Sequence, residues 1–366
     1  MRRRMPTRTI LLTGFPGFIG TRLVARLLAD EPESRIVVLV EPRMAGRAQE
    51  VAVRLEGGRR IEVVTGDIGE RRLGLTPARH GRLAAEVTHV VHLAAVYDLA
   101  VPAQIAERVN VLGTENVVAF CRACPGLERL DYVSTAYTAG LRSGRVMEAD
   151  LAEGQAFKNH YESTKFAAEV IVRGAMDQVP TAIWRPAIVV GDSRTGETQK
   201  FDGPYYILRL VSLCERLHLP IPRVGAGAAS FNVVPVDYVV DALAVGSRLP
   251  AALGRTFHLT DPEPLSADRL LAVLAQAYGG RTPRLRLPPA LLERTMRLRA
   301  TRAMLSGMPR EALAYMNHPV TFDTTNAQEI LGGAGLTCPG FESYAPAITA
   351  FFREHEREPA FEPGRQ

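Results

Sequence analysis

The stretch Thr13-Gly14-Phe15-Pro16-Gly17-Phe18-Ile19-Gly20 decides the fold of this chain. It follows the apolar run Thr9-Ile10-Leu11-Leu12, typical of a buried strand, and it opens a segment with apolar residues at helical spacing. Glycines on a strand-to-helix turn are typical of the pyrophosphate site of a doubly wound sheet, because they permit close backbone approach and a helix N-terminus attracts anions. The alternative is a turn that binds no ligand, since the spacing Gly-x-x-Gly-x-x-Gly differs from the Gly-x-Gly-x-x-Gly of ordinary dehydrogenases.

The composition is that of a globular protein. Of the 366 residues, 46% are hydrophobic and 23% are charged, which suffices for a sizeable core. The net charge of +5 is not arranged in a basic stripe with interleaved aromatics, so we expect no nucleic-acid partner. No apolar run approaches the ~20 residues of a membrane span, and none resembles a secretory signal before the first strand. We therefore expect a cytoplasmic protein without a transmembrane span.

The cysteines offer no metal site. Cys121 and Cys124 form a Cys-x-x-Cys pair, but neither a second pair nor a histidine cluster accompanies them. We therefore interpret both as structural thiols and expect no bound metal.

Short β-rich runs alternate with helical segments through the first half, which predicts an α/β protein with a Rossmann-type, doubly wound parallel sheet. The predicted strands after the first are Arg35–Val40, Ile61–Val64, Thr88–Ala95 and Leu130–Val133. We place a dinucleotide-binding domain in residues 1–192, with a return segment near 232–260. A smaller mixed substrate cap occupies residues 193–366 and is interleaved with the first domain. Phe201, Tyr205 and Tyr206 either line an acyl pocket in this cap or pack its core.

Ligands of parallel sheets bind beyond the carboxyl ends of the strands, and several candidate residues fall there. Asp67 is placed either to meet the adenine edge or to close a turn. The small residues Ala94 and Ala95 let a cofactor approach, whereas His92 is interpreted as a packed histidine. At the end of the second strand, Glu41 favours the ribose hydroxyl of NAD. The neighbouring Arg43, with Arg47 beyond it, favours the phosphate of NADP, so charge alone leaves the cofactor open.

Tyr161 and Lys165 are four residues apart and therefore share one face of a predicted helix. Tyrosine has a pKa near 10, and a nearby ammonium favours its phenolate, so this pair suits acid–base catalysis. Thr135 and Ser134, at the end of the fifth strand, are the candidates to hold a substrate oxygen.

Together these motifs resemble the extended short-chain dehydrogenase/reductases. The matching elements are Thr13 to Gly20, Gly66-Asp67-Ile68, His92 to Ala95, Asn110-Val111-x-Gly113-Thr114, Val133-Ser134-Thr135, Tyr161-x-x-x-Lys165 and Arg185-Pro186-x-x-Val189-x-Gly191. The resemblance implies catalysis by Thr135, with Ser134 beside it, and by Tyr161 and Lys165. It also implies that Asn110 supports the site and that Pro186 meets the nicotinamide amide. The predicted cofactor contacts are Gly14, Phe15, Pro16, Gly17, Phe18, Ile19, Gly20, Glu41, Arg43, Asp67, Ile68, Ala94, Ala95, Asn110 and Pro186.

Within that family, three segments resemble the fatty acyl-CoA reductases and carrier-protein thioester reductases. They are Asn159 to Glu169, Tyr132 to Tyr137, and Phe322-Asp323-x-x-Asn326 with the following Cys338-Pro339-Gly340-Phe341-x-x-Tyr344. This branch is mostly NADPH-dependent and commonly has arginine where Glu41 stands. The resemblance therefore slightly favours NADP over NAD, and Glu41 departs from it.

The resulting hypothesis is an NAD(P)H-dependent oxidoreductase that reduces a fatty acyl thioester to an aldehyde or alcohol. The alternatives are an NAD-dependent epimerase or dehydratase, a hydroxysteroid or hydroxyacyl dehydrogenase, or a cofactor-sensing protein that has lost its chemistry. The expected partners are a small acyl or lipid-like substrate and an acyl carrier protein. Residues 285–316 carry arginines among leucines and methionines. They form either a solvated helical pair over the cap or a basic amphipathic surface for peripheral membrane or carrier contact.

Overall fold

A seven-stranded parallel sheet forms the centre of the protein in a computed structural model that describes residues 8–97, 102–223, 229–283, 285–286, 315 and 318–361. The described strands are β1 (Thr9–Thr13), β2 (Arg35–Val40), β3 (Ile61–Thr65), β4 (His89–His92), β5 (Arg129–Val133), β6 (Gly144–Val146), β7 (Thr181–Pro186), β8 (Ile188–Val190), β9 (Pro222–Arg223), β10 (Val233–Pro235), β11 (Thr256–Leu259), β12 (Leu285–Arg286) and β13 (Val320–Phe322). The sheet order is β11-β7-β5-β4-β1-β2-β3. The order reverses at β1, where doubly wound sheets open a ligand crevice. The predicted Rossmann-type fold is confirmed.

Helices cover both faces of this sheet. The described helices are α1 (Phe18–Asp30), α2 (Ala45–Arg54), α3 (Pro77–Glu86), α4 (Ala103–Ala106), α5 (Gly113–Ala123), α6 (His160–Arg173), α7 (Tyr205–Arg216), α8 (Val236–Gly246), α9 (Ala267–Gly279) and α10 (Phe341–His355). Successive strand residues point to opposite faces. Accordingly, Ile10 and Leu12 pack in one core with α1 and α8, while Leu11 packs in another with α3, α5 and α6.

A third core lies in the cap, where α7, α9 and α10 meet. Phe201 and Tyr205 are buried in it, and the ring of Phe201 lies 4.9 Å from that of Phe352. The structure therefore shows the packing alternative for both residues rather than an open acyl pocket. Ala136 and Tyr137, which follow β5, also belong to this core, so the cap adjoins the carboxyl edge of the sheet.

Three predicted segments differ in detail from the structure. The fourth strand ends at His92, because the N–H groups of Leu93 and Ala94 donate to the Thr13 hydroxyl instead of to a neighbouring strand. The sequence from Asn110 to Val118 predicts a helix that begins at Asn110, but Asn110 lies inside a π-helical stretch, Glu107–Leu112, that joins α4 to α5.

The third segment is the predicted return segment near residues 232–260, whose elements pack in different places. β10 pairs with β8 outside the central sheet, while α8 packs on α1 and β11 forms the sheet edge beside β7. The division of the chain at residue 192 stays a prediction. Of residues 285–316, all but 285–286 and 315 lie outside the described residues. Among the described residues, no helix combines the length and apolar character needed to cross a membrane.

Candidate active site

The glycine turn is shaped for close packing and for an anion. Gly14 has φ of +92°, and a Cβ there would lie 2.8 Å from the Cβ of Leu93. A Cβ on Gly20 would overlap the carbonyl oxygen of Gly14. Gly17 precedes α1, whose start has neither a capping side chain nor an acidic residue in its first turn. Such an uncapped helix start suits the negative pyrophosphate of a dinucleotide. The side chain of Phe15 is buried in the core, which leaves its backbone for a ligand.

The end of β2 carries an acidic and a basic side chain that contact each other. Nε of Arg43 donates to Oε2 of Glu41 over 2.8 Å, and both side chains are exposed. Arg47 is exposed in the first turn of α2. The carboxylate and the guanidinium are thus paired with each other at the predicted ribose site.

Asp67 is engaged by its own loop and by an arginine of the π-helical stretch between α4 and α5. Its Oδ1 accepts from the backbone N–H of Gly69 over 2.8 Å, and its Oδ2 lies 2.5 Å from Nη2 of Arg108. The next residue, Ile68, is buried. These contacts are those of a turn aspartate, and an adenine contact stays a prediction.

Two hydroxyl groups meet where β5 and α6 face each other. Asn159 caps α6 by accepting from the N–H of Glu162, and this cap places Tyr161 in the first turn. The hydroxyl of Tyr161 faces the side chain of Thr135, and this interaction opposes the rise in the pKa of the tyrosine. Thr135 follows β5 and donates to the carbonyl of Pro186 over 3.4 Å. Burial raises the pKa of Tyr161 to about 12, so its phenol is protonated near neutral pH and suited to donate a proton.

Lys165 does not contact Tyr161, contrary to the expectation that its ammonium lowers the tyrosine pKa. Its Nζ donates to the hydroxyl of Tyr132 over 3.0 Å and to the carbonyl of Val133 over 2.8 Å. The ammonium lies 4.5 Å from the centroid of the Tyr132 ring. Burial lowers the pKa of Lys165 to about 7, and the opposing attraction of Glu169 is weaker.

Ser134 and Thr135 have different partners. The buried hydroxyl of Ser134 donates to Oε2 of Glu169 over 2.6 Å. Glu169 is also bound by Arg185 and by Arg173. Because its hydroxyl proton is committed to this buried carboxylate, Ser134 connects β5 to α6, and the catalytic roles of Ser134 and Thr135 stay predictions.

Asn110 is buried and hydrogen-bonded to α6, while the supporting role that the family resemblance implies stays a prediction. Its Oδ1 accepts from the N–H of Val96, and its Nδ2 donates to the carbonyl of Val96 and to the hydroxyl of Thr164 on α6. It thereby connects the loop after Ala95 to the catalytic helix. The side chain of Asn110 is buried. Direct contact with the cofactor stays a prediction for Asn110, as it does for Ala94 and Pro186.

Sequence reasoning missed three polar residues around the site: Tyr132, Glu169 and Arg185. Glu169 stands four residues after Lys165, so helical spacing alone placed it on the same face. Arg185 is a charge inside the apolar strand β7, which signals a buried partner. Tyr132 carried no comparable signal.

The described residues contain no group of three metal-ligating side chains. Cys121 and Cys124 are free and buried, and burial raises the pKa of Cys124 to about 12. The neutral thiols pack in the core beneath α3 and α5, as expected of structural cysteines.

Comparisons with known proteins agree with this geometry. A family model described as Male sterility protein, an NAD-binding domain, matches residues 12–243. Over 357 residues the chain is 28% identical to the non-canonical nonribosomal peptide synthetase FrzA of Cladobotryum sp, covering 88% of this chain and 34% of that protein. It is 29% identical over 381 residues to the aldehyde reductase lnaA of Aspergillus flavus, covering 91% of this chain and 35% of that protein. The chain thus spans about a third of these relatives.

The structure is similar to the terminal R domain from the myxalamid PKS-NRPS biosynthetic pathway, with a TM-score of 0.81 and 27% identity. That match covers 98% of this chain and 93% of the domain. A UDP-glucuronic acid 4-epimerase from Bacillus cereus in complex with NAD has a TM-score of 0.65 at 18% identity, covering 95% of this chain and 97% of that one. This second likeness shows a shared fold.

Proposed function

The chain belongs to the Male sterility protein family of NAD-binding domains, extended short-chain dehydrogenase/reductases of the thioester reductase-like type, and we propose that it reduces an acyl thioester. The substrate class is a fatty or related acyl group on coenzyme A or on a carrier protein, and the first product is an aldehyde. The observation that carries the proposal is that Thr135, just after β5, faces the buried, protonated phenol of Tyr161 in the first turn of α6.

The residues at this edge suit reduction of a carbonyl. A bound nicotinamide cofactor supplies the hydride for the carbonyl carbon. Thr135 and Tyr161 are positioned to donate hydrogen bonds to one carbonyl oxygen. These bonds stabilise the negative charge that develops on that oxygen during reduction. Tyr161 is a neutral phenol and gives that oxygen its proton. Loss of the thiol from the resulting adduct yields the aldehyde, so thioester, reduced cofactor and one proton give aldehyde, thiol and oxidised cofactor.

The glycine turn and the end of β2 are the places that we assign to the cofactor. The uncapped start of α1 faces the pyrophosphate, and Glu41 and Arg43 lie where the adenosine ribose is expected. Arg43 and Arg47 support NADP and Glu41 supports NAD, so we propose NADPH as the better of two usable cofactors.

The experiment is a spectrophotometric screen of the purified chain with NADPH and NADH. Its substrates are acyl-CoA thioesters of several chain lengths, an acylated carrier protein and the matching free aldehydes. We expect substrate-dependent loss of reduced-cofactor absorbance with a thioester, and turnover of the aldehyde arm identifies reduction to the alcohol. The absence of turnover across the panel contradicts the proposal, and tightly bound NAD without net turnover favours an epimerase. Tyr161→Phe is the control, with kcat expected to fall about 100-fold or more at unchanged cofactor affinity.

A further inference from the structure

A line of buried side-chain hydrogen bonds runs from the glycine turn to the catalytic helix. It begins at Thr13, the residue before the first glycine of the turn, and passes through His92 on β4 and Thr114 on α5. The side chain of Thr114 faces the hydroxyl of Tyr132 on β5, and that hydroxyl accepts a hydrogen bond from Nζ of Lys165 over 3.0 Å. All five of these side chains are buried.

The directions of the first two bonds follow from counting lone pairs. The hydroxyl oxygen of Thr13 accepts from the N–H groups of Leu93 over 3.2 Å and Ala94 over 3.1 Å. Since a hydroxyl has two lone pairs and one proton, Thr13 donates that proton to Nδ1 of His92, 2.7 Å away. Burial, and next Lys165, lower the pKa of His92 to about 3, so the ring is neutral. Its single proton is therefore on Nε2 and is donated to Thr114 over 3.1 Å.

The remaining hydrogen bonds determine how the phenol group of Tyr132 is oriented. The proton of the Thr114 hydroxyl is donated to the carbonyl of Asn110 over 2.6 Å. The Ser134 hydroxyl, which also contacts Tyr132, gives its proton to a carboxylate. Thr114 and Ser134 are thus acceptors only towards Tyr132, so the tyrosine proton points to one of them. The phenol oxygen then presents its lone pairs to Lys165.

We propose that Tyr132 is a positioning residue that holds the Lys165 ammonium through its phenol oxygen, oriented by the line from Thr13 through His92 and Thr114. This inference rests on the proposed function for the role of Lys165 in the reaction, but the hydrogen bonds themselves do not depend on it. Tyr132 reaches neither substrate nor cofactor in this arrangement and acts through the lysine.

Removing the phenol oxygen has a predictable electrostatic effect. The titratable groups that interact with Lys165 are Tyr132 from β5, His92 from β4 and Glu169 from α6. A hydrogen-bond acceptor stabilises the ammonium, so its loss lowers the pKa of the lysine further. The Tyr132→Phe variant keeps the ring beneath the ammonium, which isolates the oxygen from the cation–π contact.

The sharpest experiment uses the scarcity of lysine in this chain. Its three lysines are Lys158, Lys165 and Lys200. NMR of the full chain labelled with ¹³C,¹⁵N-lysine therefore follows the titration of Lys165 directly, and Lys165→Arg assigns its signal. We expect Tyr132→Phe to move the Lys165 midpoint down by at least about half a pH unit, while the other two lysines serve as internal references.

Matched variants separate positioning from a general loss of packing. Tyr344→Phe removes another buried tyrosine hydroxyl, one that donates to the carbonyl of Val233 in the cap, and we expect it to leave the Lys165 titration unchanged. Thr114→Val should reproduce part of the shift, and Thr114→Ser should restore the wild-type midpoint. An unmoved Lys165 midpoint in Tyr132→Phe overturns the inference.

Enzyme activity provides a second readout of the role of Tyr132, besides the NMR titration. If thioester reduction is observed, Tyr132→Phe should lower kcat about tenfold and move the alkaline limb of the pH profile to lower pH, whereas Tyr344→Phe should do neither. If no thioester is turned over, the proposed function fails while the NMR titration still decides the role of Tyr132.

Discussion

The carboxylate of Glu169 on α6 lies 2.7 Å from Nη2 of Arg185 on β7, and both side chains are almost completely shielded from solvent. Burial opposes ionisation of Glu169, but the charges of Arg185 and Arg173 and the hydrogen bonds from Arg185 and Ser134 together outweigh it, so the pKa of the carboxyl lies below its ordinary value. The same carboxylate accepts the hydroxyl proton of Ser134. The buried ion pair of Glu169 and Arg185 therefore joins α6 to β7, and the hydrogen bond from Ser134 joins both to the end of β5.

Breaking this pair should be costly. In Glu169→Gln the guanidinium of Arg185 stays buried without its counter-charge, so we expect the free energy of unfolding to fall by about 3–5 kcal/mol in a urea titration. The control is Glu342→Gln, which breaks an ion pair with Arg269 in which both side chains are exposed. It should cost less than about 1 kcal/mol. Equal losses in the free energy of unfolding would contradict the expectation that the buried pair contributes more than the exposed pair.

The two hydroxyls after β5 should separate activity from stability. Thr135→Val removes the partner of Tyr161, so kcat should fall at least about tenfold with little change in the melting temperature. Ser134→Ala removes one of the two donors to Oε2 of Glu169, the other being Nε of Arg185, so it should lower stability by about 1 kcal/mol and change kcat less. Kinetics and thermal unfolding of both variants test this, and the reverse pattern favours Ser134 as the catalytic hydroxyl.

Cofactor preference should depend on the exposed pair at the end of β2. Glu41→Gln removes the carboxylate that engages Arg43, and we expect the NADPH-to-NADH ratio of kcat/KM to rise about fivefold. Arg43→Ala should lower the ratio by a similar factor. Arg54→Ala, an exposed arginine at the other end of α2, is the control and should leave it unchanged. Identical ratios in all four proteins would exclude this pair from cofactor selection.

Acid should destabilise the fold through buried neutral histidines. Burial is the main cause that lowers the pKa values of His89, His92 and His258 to about 3. As pH falls below about 6.5, the histidines of the unfolded chain become protonated while the buried rings of the folded chain stay neutral. The contribution of these neutral rings to folding stability is therefore complete above that pH and declines below it.

At pH 5 the loss is about 2 kcal/mol for each ring. The pKa of Glu148, raised to about 7 by burial, acts in the opposite direction and offsets about one ring. With three such rings and one offset, we expect a net loss of about 4 kcal/mol between pH 7.5 and 5, measured by urea unfolding at each pH. Constant or rising stability over this range contradicts the prediction.

Two glycines should respond oppositely to alanine. In Gly20→Ala the new methyl group overlaps the carbonyl of Gly14, so we expect a loss of about 1–3 kcal/mol and weaker dinucleotide binding. Gly46 lies in the first turn of α2, and a Cβ added there would have no other atom within 4 Å. Gly46→Ala should therefore be neutral or stabilise by up to about 1 kcal/mol. Thermal unfolding and NADPH fluorescence titration measure both effects, and wild-type binding by Gly20→Ala argues against the tight turn.

Much of the fold was predictable because its signals are local. Apolar runs and helical spacing within some ten residues indicated β1, β2 and α6, and the glycines marked the turn between β1 and α1. Where a strand ended was less predictable. β4 stops at His92 because Thr13, far away in the chain, captures the next two N–H groups.

The sequence by itself determined the order of elements, the glycine turn and the presence of Thr135, Tyr161 and Lys165 on segments that meet at one sheet edge. Only the tertiary structure decided which groups they contact. Lys165 binds Tyr132, 33 residues before it, and Ser134 binds Glu169, 35 residues after it. Hydrophobic periodicity specifies which face of an element is buried, but hydrogen-bond partners depend on how separate elements pack and on which donors and acceptors remain unpaired there.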